Sequence, residues 1–421
     1  MSIVHDMGKS RTQVGSSSQA QKKRKGAARA TQGLLPFYPL VPQGEVTFQE
    51  CNLDLSPQEA QRFEKLKKRP IKGHRYLDFE LIGELGLGEQ IRVLAASMCW
   101  ETFISFHEPA YRGITLEFLS TVHADPEAHG SLTFQLAGER REMTSVQLRQ
   151  CFDVVIDDSK APTNESQCNF FDATDLWHAL SRSGSYVPSK AKATTITHPA
   201  IRLFQRFISH VYMVRGDGNN ALVKRDFCIL VAALMDKHVN FGAFLMRHLM
   251  FTSHNESGEI QCDGIITRIA RVFDIPLDQL QDKVDPVPMD FTFLNKCNML
   301  YWYKGHYYWR LGASDKVMRL PNSRCKLKLG EGSTRYWSIT TTFADLCVTK
   351  VQESSLRKRR GVILPEDRAP EGDLADEDEE MAEEEDEEAQ AYAHAYGIST
   401  SASGGAPDYD YTPWEHASAP Q

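Results

Sequence analysis

Residues 299–310, MLYWYKGHYYWR, hold a dense run of ring side chains, with Lys304 and Arg310 inside it and Arg319, Arg324, Lys326 and Lys328 shortly after. Flat aromatic faces beside cations suit stacking on the bases of RNA or single-stranded DNA and attraction of the phosphates between them. Trp302 and Trp309 are the rings assigned to that stacking. Two other readings fit the same run: an edge that binds protein, and plain packing, because only alternate rings of a strand share a face. Two compact basic clusters, Lys22-Lys23-Arg24-Lys25 and Arg357-Lys358-Arg359-Arg360, suit phosphate contact or recognition by a nuclear-import receptor.

Groups that would carry covalent or metal chemistry do not assemble along the sequence. His107 and His123 are not joined by an HExxH motif, and Cys297, His306 and Cys325 lack zinc-knuckle spacing. There is no GxSxG elbow and no Asp-Thr/Ser-Gly triplet. Asp157-Asp158 and the Asp172/Asp175 pair read as loop or cap residues. Gly83, Gly86 and Gly88 are followed by no Lys-Ser/Thr, so they read as a turn instead of a phosphate loop. No catalytic, cofactor-binding or metal-ligating residue is assigned, and no cofactor is expected.

The 421 residues carry a net charge of −8, but thirteen acidic residues fall within Glu371–Glu388, and without them the balance is +5. Residues 1–30 contribute +6, which leaves the middle of the chain nearly neutral. Attraction to nucleic acid is therefore expected from the ends and not from a uniformly basic globule. Nine scattered cysteines without a CxxC predict free thiols in a reducing compartment. The polar beginning and the lack of an apolar run of about 18 residues predict a location in nucleus or cytoplasm, the nucleus favoured, and no membrane contact.

The elements that must position these groups centre on Asn219–Met250, the longest mainly apolar segment without proline, which predicts a buried helix or a broken helix pair. Ser56-Pro57-Gln58-Glu59 predicts a capped helix start, and Pro109 predicts another start before Tyr111, Thr115, Phe118, Leu119 and Val122, with Glu117 turned to solvent. Leu132, Phe134 and Leu136 alternate as a half-buried strand, and Thr144 caps the helix that follows. Phe170–Leu180 predicts a helix with Trp177 and Leu180 inward. Ile201, Phe204, Ile208 and Val211 make a helical face that leaves Arg202, Arg206 and Arg215 exposed. Ile265, Ile266, Ile269 and Phe273 predict a shorter helix, Lys304-Gly305 the turn of an aromatic hairpin, and Thr334–Ser338 a short strand. The fold class is mainly α with short β-hairpins (α+β), a helical central core flanked by disordered charged tails.

EPAYRGITLEFLSTV at Glu108–Val122 and LTFQLAGERREMTSVQL at Leu132–Leu148 resemble the Arabidopsis-type retrotransposon ORF-1 proteins of Athila elements. The likeness continues through DLWHALS at Asp175–Ser181, KATTITHPAIRLFQRFISHVY at Lys192–Tyr212 and LVKRDFCILVAALM at Leu222–Met235. The resemblance implies a gag-associated plant LTR-retroelement protein whose partners are RNA and copies of itself. It brings no catalytic constellation, and Tyr111, Phe118, Phe134 and Trp177 carry over as fold residues only. Unlike a typical gag, the chain has no CCHC knuckle. It also lacks the YxDD motif of a reverse transcriptase and the HHCC pattern of an integrase.

The expected organisation is a basic tail and linker over 1–45, an ORF-1-like region over 46–215, a central core with the aromatic hairpin over 216–350, and an acidic tail over 351–421. The expected function is a non-enzymatic retrotransposon-derived structural or nucleic-acid-associated protein. The alternative is a transposon-derived nuclear chromatin or protein-interaction module without RNA binding, its partners being nuclear proteins.

Overall fold

The computed structural model describes residues 53–323 apart from 128, 170–171, 182–184, 189, 216–219, 281 and 312–315, together with 325, 327 and 348–349. Both basic clusters, the acidic run and the expected Thr334–Ser338 strand lie outside the described residues.

Local signals start several elements where the residue types demand. Ser56 and Glu59 cap one another's backbone N–H groups and open the Pro57–Leu66 helix. Thr144 and Gln147 do the same for the Ser145–Gln150 helix. The central apolar stretch folds as two helices, Lys224–Leu234 and Phe241–His254, the second capped by the Asn240 side chain. Gly242 lies where that second helix meets the Ser145–Gln150 helix: a Cβ placed there would stand 2.4 Å from the Ser145 carbonyl oxygen. The Pro109 helix begins later than expected, at Arg112, after a two-residue strand Ala110–Tyr111.

Eleven α-helices occur among the described residues, with several small sheets, which makes the protein α+β. Ser131–Leu136 and Glu139–Thr144 form an antiparallel hairpin that His123–Ala124 extends to three strands. Arg75–Leu77 runs parallel to Val287–Met289, and Ala110–Tyr111 pairs antiparallel with Lys283–Val284. These two ladders fasten the segment around residues 283–289 onto elements about 200 positions earlier in the chain. The fourth sheet runs in the order Val348–Thr349, Lys316–Leu320, His306–Arg310, Leu300–Tyr303, so the last of these is an outer strand.

An aromatic cluster closes the core. Trp100 lies within 6.5 Å, ring centre to ring centre, of Phe103, Phe204, Phe207, Tyr212 and Phe241. Residues on both sides of position 216 therefore share one interior. The helix Pro199–Phe207 continues as a π turn over Ile208–Tyr212, which carries Tyr212 into this cluster, where its hydroxyl donates to the Phe241 carbonyl.

Several polar residues stand where apolar periodicity does not place them. Glu117 is not on a solvent face. Every residue from Gly113 to Thr121 is buried, and the Glu117 carboxylate accepts from Gln135 Nε2, Ala137 N and Gly138 N at 2.8–3.0 Å. Those three donors replace the water that burial removes and hold the tip of the Ser131–Thr144 hairpin. Arg202, Arg206 and Arg215 are buried as well, against the exposed-face expectation. The cysteine expectation is also corrected in part, because Cys168 and Cys228 form a disulfide with Cα atoms 6.3 Å apart. Cys99, Cys151, Cys262, Cys297 and Cys325 are free thiols.

One clasp joins the first described helix to that hairpin. Arg140 holds Glu59 with two bonds of 2.7 Å, and this pairing, ahead of every other influence, lowers the Glu59 carboxyl to about 2. A carboxyl whose folded pKa is depressed stabilises the fold above its unfolded value and loses that contribution as the pH falls. The window here runs from about 4.5 down to about 2. Solvent reaches Arg140, whose side chain is 52% exposed, and reduces the effect. Glu59→Gln is expected to lower stability at pH 7 by about 1–2 kcal/mol and to flatten the acid limb of a urea-unfolding series between pH 5 and 2. An unaltered acid limb would show that the clasp contributes nothing.

Candidate functional site

The aromatic run folds as the expected hairpin. Lys304 and Gly305, with φ of 50° and 75°, make the two-residue turn that a right-twisted ribbon favours. Across it, Trp302 faces Tyr307 and Leu300 faces Trp309, so both tryptophans share one side of the sheet. Only the end beside the turn is open. Trp302 is 51% exposed, while Trp309 is fully buried beneath the Arg202 guanidinium, 5.6 Å from its ring centre. The stacking role expected of Trp309 is therefore corrected: no base can reach it. Alternation identifies the shared face, but not how far along the strand the core extends.

On the open end, Trp302 meets Tyr307 edge-on at 4.6 Å, and Tyr307 lies 6.1 Å from Phe291. The Tyr307 hydroxyl donates to Glu84 at 2.7 Å, and this bond, with smaller effects of burial, Glu84 and Asp78, pushes its pKa up to about 12. The Glu84 carboxylate thus borders the open end of the hairpin. Glu84 closes the Phe79–Glu84 helix that Asp78 caps, so the GELG turn of the sequence positions a negative edge and not a phosphate cradle. The neighbouring guanidiniums are engaged on other rings, Arg75 over Phe293 and Arg92 over Phe79.

The opposite side of the hairpin is a tyrosine layer. Tyr301 stacks on Tyr308 at 5.3 Å, with Arg310 over Tyr301 and Lys304 over Tyr303. Arg319 bonds to His306 at 2.9 Å. Of the cations expected to assist stacking, Arg324, Lys326 and Lys328 lie outside the described residues, as do Lys22, Lys23, Arg24, Lys25, Arg357, Lys358, Arg359 and Arg360.

The buried polar groups act on the fold itself. Arg202 donates to the carbonyls of Arg310, Cys297 and Asn298 and so ties the hairpin to the C-terminal end of the Phe291–Lys296 helix. Burial, with Arg206 next in effect, brings its pKa down to about 9. Asp226 accepts from Arg215 at 2.6 Å and from Ser209 at 2.7 Å, and Gln205 in turn donates to Ser209. A serine beside a carboxylate suggests an activated nucleophile, but Ser209 and Asp226 are both wholly buried, where a substrate cannot meet them.

His74 and His198 are held neutral, burial bringing them to about 4 and about 3. The Cys151 thiol is raised to about 11, mainly by burial, which leaves it unreactive. Asp172 caps the Ala173–Ser181 helix through the N–H groups of Thr174 and Asp175, and Asp158 binds the Phe241 N–H, so the aspartates serve as caps and loop ties. Among the described residues, no group of three or more His, Cys, Asp or Glu side chains could hold a metal ion. No described helix is long and apolar enough to cross a membrane.

This arrangement defines an α+β scaffold that keeps its polar networks inside and presents an aromatic outer strand. The chain belongs to the ATHILA ORF-1 family, whose model matches residues 53–317. It is thus an ORF-1 protein of an Athila-type plant retrotransposon, a gag-like class with no assigned enzymatic chemistry. Neither the curated proteins nor the solved structures contain a match to it.

Proposed function

We infer that this chain is a non-enzymatic structural protein of the element that associates with RNA and with copies of itself. Its basic clusters carry the RNA attraction, and its folded part acts as the scaffold. The observation that carries this reading is the placement of Trp302. It is the exposed ring of an uncharged outer strand with no neighbouring strand on its far side among the described residues, while the Ser209–Asp226 pair is sealed away. Glu84, bonded to the hydroxyl of the Tyr307 that Trp302 meets edge-on, opposes an approaching phosphate, which favours protein contact at this strand and leaves RNA to Lys22–Lys25 and Arg357–Arg360. Both clusters also suit nuclear import.

Crosslinking of RNA in cells combined with size analysis tests the reading. Large RNA-bearing particles are the expected result. A discrete protein complex without RNA would overturn it in favour of a nuclear protein-interaction module.

A further inference from the structure

Free thiols at Cys99, Cys151, Cys262, Cys297 and Cys325 suit a reducing compartment, yet Cys168 and Cys228 are bonded to one another. The bond lies where a loop and a helix cover the core. Residues 158–163 are tied directly to the start and middle of the Phe241–His254 helix. Asp158 accepts from the Phe241 N–H at 3.0 Å, the Pro162 carbonyl from the Asn240 N–H at 2.8 Å, and the Thr163 carbonyl from Arg247 at 3.1 Å. Residues 164–169 are held differently. Their hydrogen bonds reach no further than Thr163, whose N–H donates to Gln167, while Asn164 accepts from Ser166 and Gln167. Among the described residues, no hydrogen bond links this stretch to the Lys224–Leu234 helix, and the disulfide does.

The Ala173–Ser181 helix continues the cover. Leu176, Trp177 and Leu180 are its buried residues, and Trp177 and Tyr186 both meet Phe227, at 6.1 and 4.3 Å between ring centres. Phe227 is the neighbour of Cys228, so the rings and the disulfide grip one spot on the Lys224–Leu234 helix. Cys228 is 1% exposed and Cys168 is half-buried, which makes Cys168 the sulfur that a reductant meets first. We propose that this disulfide is a redox-operated strap. Oxidised, it clamps residues 164–169 and the Ala173–Ser181 helix over Phe227. Reduced, it lets them lift and uncover that ring, because the two ends of the bond lie 60 residues apart and nothing covalent then keeps them together. Opening consumes one dithiol. Its first thiolate attacks Cys168 Sγ, and Cys228 Sγ leaves and takes up a proton. The second thiol of the reductant then displaces Cys168 from the mixed disulfide. Two electrons and two protons pass to the protein, and the dithiol becomes a disulfide.

The test reads the cover itself and is independent of RNA binding. The full-length protein is equilibrated with oxidised glutathione or with dithiothreitol. Remaining thiols are alkylated in urea and the peptides mapped, while amide hydrogen exchange is followed on parallel native samples. After oxidised glutathione, the peptides of Cys168 and Cys228 are expected to be linked to each other. Dithiothreitol is expected to free both and to speed exchange in the Ala173–Ser181 helix by roughly tenfold or more, with the Ser131–Thr144 hairpin unchanged. Return to oxidised glutathione should restore the slow rate. Cys168→Ser should exchange at the reduced rate in both media. Three results would overturn the proposal: no linked peptide after oxidised glutathione, exchange in the helix indifferent to reduction, or equal acceleration in helix and hairpin. The last would make the bond a staple of the whole fold instead of a strap on one part of it.

Discussion

Trp100→Ala lowers the unfolding free energy by about 3–5 kcal/mol, the range for emptying a large aromatic site in a packed core. The indole is 1% exposed and touches five rings drawn from three separate stretches of chain: Phe103, then Phe204, Phe207 and Tyr212, then Phe241. Those rings sit on different elements that also pack elsewhere, so they cannot all move inward to fill the vacancy, and most of the cavity term persists. Urea unfolding at neutral pH measures the loss. Trp302→Ala supplies the contrast: at 51% exposure it should shift stability by no more than about 0.5 kcal/mol. Equal effects from the two substitutions would contradict the placement of the core.

Asp226→Ala is expected to be as damaging, for an electrostatic reason. The substitution strips the acceptor from Arg215 Nη1 and from the Ser209 hydroxyl in a site where Asp226 is 0% and Arg215 8% exposed. Breaking a buried pair from one side costs about 3–5 kcal/mol, because the abandoned charge has no water to turn to. It also removes an acidic group from the first turn of the Lys224–Leu234 helix, where the helix dipole favours one. Replacing both partners with apolar residues of similar volume, Asp226→Leu with Arg215→Met, should recover most of the loss. A double variant no better than the single one would mean that the pair is not the reason for the damage.

What the sequence reveals of this fold is mostly what depends on near neighbours. The Ser56 and Thr144 caps and the Lys304-Gly305 turn rest on contacts within a few residues, whereas the apolar run Asn219–Met250 fits one buried helix as well as the two that form. The family likeness is legible for a related reason, since several apolar segments recur in one order along residues 53–317. Glu117 is misjudged because its donors at residues 135–138 come from a hairpin that must first form and fold back. Arg202 is misjudged because the carbonyls it serves lie 95–108 positions downstream. A charged residue on a helix normally faces water, and only distant backbone acceptors reverse that preference here. The Cys168–Cys228 bridge is hidden by a separation of 60 residues.

The candidate site was half visible. Aromatic density identifies the hairpin and makes Trp302 and Trp309 candidates, and alternation says only that some of the rings share a face; the register and the core decide that one tryptophan is exposed and the other buried. The carboxylate at the open end comes from Glu84, more than 200 positions before the Tyr307 that it holds, and nothing in the aromatic run itself announces it.

The division of labour between a structural core and basic segments that hold RNA is tested most directly by the salt dependence of RNA binding. The full-length protein should be compared with a variant in which all eight cations of Lys22–Lys25 and Arg357–Arg360 are replaced by glutamine. If all eight meet phosphates, the logarithm of the binding constant against that of salt concentration should slope at roughly −5 to −6 for single-stranded RNA. The variant should bind at least tenfold more weakly with a slope near zero. An unchanged slope and affinity in the variant, with its unfolding transition intact, would place RNA on the folded surface and contradict the account.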